Sequence, residues 1–211
     1  MKRKFSILII FITILLSSCV TTSAPPVEEK KYTRLPQQVN IGIIEFNNKT
    51  KYGARRLSDS ALEILTTELT RSGNFIVVER ARMDKILEEM KFQLSGVTTG
   101  ENAAEIGKIL NCEYLLVGSV SNFGVTTEGK DFIIVQQKIQ KVKAEVDLRI
   151  IEVETGAVIY SAYGKGEIEK KISSNFGMGG TGGYDETLAG ECLRIAINKS
   201  VHDLIEYFSV Q

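Results

Sequence analysis

The sequence predicts an α/β domain with a mixed, largely antiparallel sheet packed by helices, carried behind an export signal. Three observations predict it. Val142, Ala144, Val146, Leu148 and Ile150 alternate with Lys141, Lys143, Glu145, Asp147 and Arg149, the period-2 pattern of a half-buried antiparallel strand. Two well-separated segments carry apolar residues at helical spacing: Leu57, Ala61, Leu65 and Leu69, then Leu193, Ile197, Val201, Leu204 and Phe208. All three prolines (Pro25, Pro26 and Pro36) lie before Val39, which leaves the rest free for uninterrupted strands and helices.

The chain opens with Lys2-Arg3-Lys4, a positive n-region, followed by an uncharged apolar run from Phe5 to Leu16. The run is short for a transmembrane helix, which needs roughly 20 apolar residues, and reads as a secretory signal over residues 1–18. Leu16-Ser17-Ser18-Cys19 is similar to a bacterial lipobox. That resemblance implies cleavage before Cys19, a diacylglycerol on its thiol and an acylated new amine. Two or three chains make a stable anchor where one holds only marginally. Val20 stands where an aspartate would signal retention in the inner membrane, so the expected location is the periplasmic face of the outer membrane. Residues 19–38 read as lipid anchor and flexible linker, and 39–211 as one periplasmic domain.

Within the domain, Val39–Phe46 reads as a buried strand and Arg55–Ser72 as a helix stopped by Gly73. Phe75–Val78 is a short strand. Met83, Ile86, Leu87, Met90 and Leu94 mark a second helix, broken at Ser95-Gly96. Thr98 with Glu101 forms a capping box for a third, ending near Asn111. Tyr114–Val125 is a strand, and Phe132–Val153 is a long extended stretch. Thr155-Gly156 turns into a strand running from Ala157 to about Gly166. A glycine-rich loop and a final helix, Asp185–Phe208, follow.

Charge and composition exclude several functions. Removing residues 1–18 takes away three cations and no acid, leaving 23 basic side chains against 26 acidic ones. No basic excess is present to drive nucleic-acid binding. Cys112 and Cys192 could pair in an oxidising compartment, but each also fits a small buried apolar position. The cysteine spacing and a single histidine do not suit zinc. His202, on the flank of the last helix, would have to serve any Ser-His-Asp or Cys-His arrangement, and a solvated flank position is the simpler reading. No catalytic residue, cofactor or metal is expected. Gly177-Met-Gly-Gly-Thr-Gly182 matches G-x-G-x-x-G in form, but no second parallel strand ending in an acid follows in the sequence, so a loop is expected instead.

The ordered motifs resemble the CsgG family of curli production assembly and transport components. They are Ile43–Thr50, Phe75–Leu87, Gln93–Gly96, Ala104–Leu110, Tyr114–Ser119, Val146–Ile151 and Thr155-Gly156. The resemblance implies an outer-membrane lipoprotein with an anticodon-binding-domain-like periplasmic fold. It also implies extended β-hairpins, homo-oligomeric rings and a role in exporting polypeptides without chemistry. The hairpins would fall at about Asn122–Lys141 and Gly164–Asp185. Ile133, Val135 and Ile139 share one parity in the first, which Gln137 and Lys141 interrupt; Gly166, Ile168, Lys170, Ile172 and Ser174 share a face in the second. The loop Asn47–Arg55 is short beside the family's pore-constricting loop, and Tyr52, its one aromatic, fits a packed loop tyrosine. A second reading is a regulatory lipoprotein resembling LpoB, acting on a periplasmic cell-wall synthesis enzyme.

Overall fold

The computed structural model describes residues 32–78, 107–131, 135–175 and 186–211. The signal segment, Cys19, most of the second and third expected helices and the glycine-rich loop therefore lie outside the described residues. The elements in chain order are β1 (Val39–Asn48), α1 (Ala54–Ser72), β2 (Phe75–Val78), β3 (Tyr114–Asp131), β4 (Val135–Glu152), β5 (Val158–Asn175) and α2 (Glu186–Ser209). A helical turn at 107–110 ends at Asn111, whose φ of 54° is the left-handed conformation that asparagine tolerates at a helix stop.

The strands form one sheet in the order β2-β1-β3-β4-β5. β1 runs parallel to both β2 and β3, while β3–β4 and β4–β5 are antiparallel. The mixed, largely antiparallel sheet expected from the alternation in β4 is therefore present. Both helices pack on one face. Leu57, Leu65, Leu69, Leu193, Ile197, Val201 and Leu204 share a buried cluster with Ile41, Leu116, Val146, Leu148 and Ile150. A smaller cluster on the opposite face gathers Ile44, Leu110, Cys112, Leu115, Ile151 and Val153.

Two register shifts redistribute side chains in ways that alternation alone does not reveal. A bulge between Ile43 and Glu45 flips the parity of β1, so Phe46 joins Ile41 and Ile43 on the helix side. A second, between Val120 and Asn122, does the same for Phe123 in β3. In β5, a Cβ on Gly164 would lie 1.9 Å from the Ala196 carbonyl oxygen, and one on Gly166 would lie 2.1 Å from that of Cys192. These two glycines let the α2 backbone settle directly on the strand.

Two sequence expectations change. β5 does not end near Gly166 but runs to Asn175, paired with β4 as far as Val135. Ion pairs between Lys143 and Glu167 (3.1 Å) and between Lys141 and Glu169 (3.2 Å) link the added length to β4. Residues 164–175 thus extend β5 alongside β4 in a β3–β4–β5 ribbon, and the return arm expected as far as Asp185 lies outside the described residues. The compact unit also begins at Tyr32, seven residues before the boundary expected at Val39. Tyr32 reaches Glu68 of α1, and Arg34 and Gln38 reach the Gly73 carbonyl at its end.

Candidate functional site

Above Val120, where β1 ends, the sheet narrows to a three-stranded ribbon built from 121–131, 135–145 and 165–175. Its lower rows can be read residue by residue. On the helix side, Val125, Val142 and Ile168 stand in one row and belong to the core with Leu188 and Cys192 of α2. The next row on that side is Thr127, Gln140 and Lys170. On the far side the rows are Gly124–Lys143–Glu167, Thr126–Lys141–Glu169 and Glu128–Ile139–Lys171. Lys141 reaches Glu169 and, at 3.8 Å, Glu128, and these carboxylates hold its ammonium above the usual lysine range. Both faces are therefore polar at this level.

The arrangement shows what covers the lower part of the face that Gly166 and Ile168 share in the second expected hairpin. Gly166 and Ile168 face α2, so their side of the strand is occupied by the protein's own helix. A lysine on the lipid side of a membrane strand costs roughly 2–4 kcal/mol. Ile133 and the glycine-rich loop lie outside the described residues.

The free edge of the ribbon is guarded at its base. Asp203 on α2 accepts a hydrogen bond from the Tyr163 backbone N–H (3.3 Å), and Lys199, one turn earlier, donates to the Lys165 carbonyl (2.8 Å). Both backbone groups point away from β4, so two helix side chains satisfy edge groups that a sixth strand would otherwise take. Asp203 also accepts from the Tyr160 hydroxyl at 2.7 Å, a bond that pushes the phenol up to about 12.

A second polar site ties residues 32–35 to the helix pair. Glu68, almost fully buried on α1, accepts hydrogen bonds from Arg194 (2.6 Å), the Tyr32 hydroxyl (3.0 Å) and Asn198 (3.3 Å). Asn198 also donates to the Tyr32 oxygen at 2.8 Å, and Arg71 lies 3.6 Å from Glu68. The Tyr32 ring stacks on His202 with centroids 4.3 Å apart. Arg34 donates to the Gly73 carbonyl at the end of α1 (2.7 Å), and Asn74 binds the backbone of Thr33 and Leu35. His202 is thus half-buried against Tyr32 and not a solvated flank residue. Sequence reading missed Glu68, although a glutamate between Leu65 and Leu69 on an otherwise apolar stripe was a signal of a buried partner.

The remaining candidates are placed plainly. Cys112 and Cys192 are both free and lie in clusters on opposite sides of the sheet. Burial pushes each thiol up to about 11. Tyr52 is exposed, its ring edge-on to Phe123 at 5.9 Å. Among the described residues there is no group of three or more potential metal ligands, and no helix is long and apolar enough to cross a membrane.

Comparison with known proteins bears on what these surfaces serve. A relative named "Putative lipoprotein NMB1126/NMB1164", from Neisseria meningitidis serogroup B, is 29% identical over 206 residues, spanning 90% of this chain and 88% of its own. The solved structure of the hypothetical protein CT253 from Chlamydia trachomatis aligns over 82% of this chain and 99% of its own, at 12% identity and a TM-score of 0.50, a likeness of fold. Lipoprotein GNA1162 from Neisseria meningitidis aligns over 82% and 99% at 9% identity and a TM-score of 0.47. The family described as curli production assembly/transport component CsgG matches residues 26–211, and to that CsgG family this chain belongs.

Proposed function

We propose that this protein is an outer-membrane lipoprotein, anchored through Cys19 on the periplasmic face, that assists secretion or assembly of surface-exported polypeptides as a homo-oligomer. The observation that carries the reading is the family match, which spans the whole folded domain. The role is binding and confinement, with no catalysis, cofactor or nucleic acid. The ribbon supports a surface that meets protein or water in preference to lipid, since its rows at Lys141 and Gln140 are polar on both sides.

A regulator of a periplasmic cell-wall synthesis enzyme would also present a polar ribbon, and reach separates the two readings. Between Cys19 and the compact unit at Tyr32 lie residues 20–31, twelve in all. Fully extended, twelve residues span at most about 40 Å. That keeps the domain beside its membrane and favours action there.

Light scattering on the detergent-extracted protein tests the proposal. A ring-sized homo-oligomer is expected, and a monodisperse monomer at micromolar concentration would overturn the assembly reading in favour of the regulator. Replacing Cys19 with alanine should remove the protein from outer-membrane fractions. Retention at the wild-type level would mean that strands, not acyl chains, hold it there.

A further inference from the structure

The connection from β1 into α1 carries four cations, Lys49, Lys51, Arg55 and Arg56, all of them exposed. α1 has no acidic residue in its first turn, and Asp59, one turn further on, is the single acid from Asn47 to Asp59. Among the described residues none of the four cations forms an ion pair or a side-chain hydrogen bond, whereas Lys141, Lys143 and Arg194 each sit on a carboxylate. The chain from Cys19 holds 23 basic and 26 acidic side chains, so this patch runs against the sign of the whole. Its loop is held from within. Thr50 donates to the Asn48 Oδ1 through its N–H (2.9 Å) and its hydroxyl (2.8 Å), and the Asn48 amide donates to the Tyr52 carbonyl (2.7 Å). Tyr52 is 45% exposed with its ring edge-on to Phe123, so the outward side chains stand on a fixed backbone and cost little to order.

We propose that this patch, formed by Lys49, Lys51, Tyr52, Arg55 and Arg56, is a docking surface for an acidic, extended segment of a partner polypeptide. The inference goes beyond the assembly reading and does not depend on it. Charge complementarity names the partner's side chains. A guanidinium fork takes a carboxylate through two parallel hydrogen bonds, the lysines add point charges on the loop side, and Tyr52 supplies an apolar ring with a polar tip. The position of the patch favours a chain over a membrane. The Lys49 N–H donates to the Val120 carbonyl (3.0 Å), where the ribbon begins. From Val120 to Asp131 the ribbon rises roughly 36 Å at about 3.3 Å per residue. A flat bilayer advancing along the strands meets the ribbon before it reaches the cations, whereas a flexible segment passes beside it.

The test uses the detergent-extracted protein and fluorescence anisotropy. One probe is a fluorescein-labelled peptide in which glutamate alternates with serine, and the other is the same peptide with glutamine in place of glutamate. Binding is expected to the acidic peptide alone and should weaken steeply as salt rises. Lys49→Gln with Lys51→Gln, or Arg55→Gln with Arg56→Gln, should each weaken it about fivefold, the effect of losing two exposed charge pairs. Because none of the four side chains has an ion pair to lose, thermal melts should not move. A control, Lys165→Gln with Lys171→Gln, removes the same charge from β5 and should keep full affinity. No binding by the parent, equal binding to the glutamine peptide, or an equal loss in the control would each overturn the proposal. So would displacement of the acidic peptide by polyphosphate at a lower concentration of charge than by unlabelled peptide, which would make the patch a phosphate site.

Discussion

The upper ribbon continues three strands of the five-stranded lower sheet, yet the two parts obey different rules. Below Val120 the helix side is filled by aliphatic residues that are wholly or nearly wholly buried, and α2 approaches so closely that β5 needs glycine at 164 and 166. Above the row Val125–Val142–Ile168 the pattern becomes threonine, glutamine and lysine on one face and paired charges on the other. The lower part is held by burial, which is large and insensitive to salt. The ribbon is held by its backbone ladder and by exposed ion pairs, which individually contribute little. The difference separates a domain that carries its own stability from a projection shaped for something outside it.

The comparison breaks most readily at the glycines. Gly166→Val should destabilise the domain by about 3 kcal/mol or more, because the new side chain meets the Cys192 carbonyl and neither backbone can retreat. Urea unfolding followed by circular dichroism measures it; a loss under about 1 kcal/mol would mean that α2 is not held so close. Next comes Glu68→Ala, expected to cost about 2 kcal/mol, reduced from the value for a fully buried pair because both arginines are half exposed. Limited proteolysis should then cut at Arg34, which wild type protects.

A sharper contrast comes from placing arginine on either side of the boundary. Ile168→Arg, in the row shared with Val142, should cost about 1–2 kcal/mol, whereas Thr127→Arg, one row higher, should stay within about 0.5 kcal/mol. Equal effects would move the boundary. A double-mutant cycle on Lys141 and Glu169 should return the smallest coupling of this set, and none in high salt.

The smallest effect at neutral pH concerns the two thiols. Both have folded-state values raised to about 11 from an ordinary 9.0, so the folded state favours the protonated form. Their contribution to stability is whole below about pH 9 and is lost as pH rises through about 11. Unfolding midpoints should therefore be flat from pH 7 to 9 and fall above it, and a thiol reagent at pH 8 should label neither cysteine in the folded protein.

Much of the lower part was legible because burial writes a period into the sequence. The stripes of α1 and α2 and the alternation of β4 named the core correctly, and Gly73 takes the left-handed conformation expected of a helix stop, with φ of 67°. The ribbon was less legible. β5 from Gly166 to Asn175 has no apolar alternation to announce it, and its pairing is set by the neighbouring β4. The cover over Ile168 could not be read locally, because α2 follows only after the glycine-rich stretch. The bulge that turns Phe46 inward leaves no sign in composition. Residues 32–38 looked like tether because their partners are spread over α1 and α2; only Glu68, charged on an apolar stripe, hinted at them.

The edge contacts of Asp203 and Lys199 make helix docking and sheet closure a single event. Until α2 lies against β5, the Tyr163 N–H and the Lys165 carbonyl have only water, and the base of the strand can template a foreign one. Because α2 follows β5 in the chain, a molecule emerging N-terminus first displays that sticky edge while 24 more helical residues are still arriving. The interval sets a window in which a holdase, or the rate at which the chain emerges, decides between a folded molecule and an aggregate.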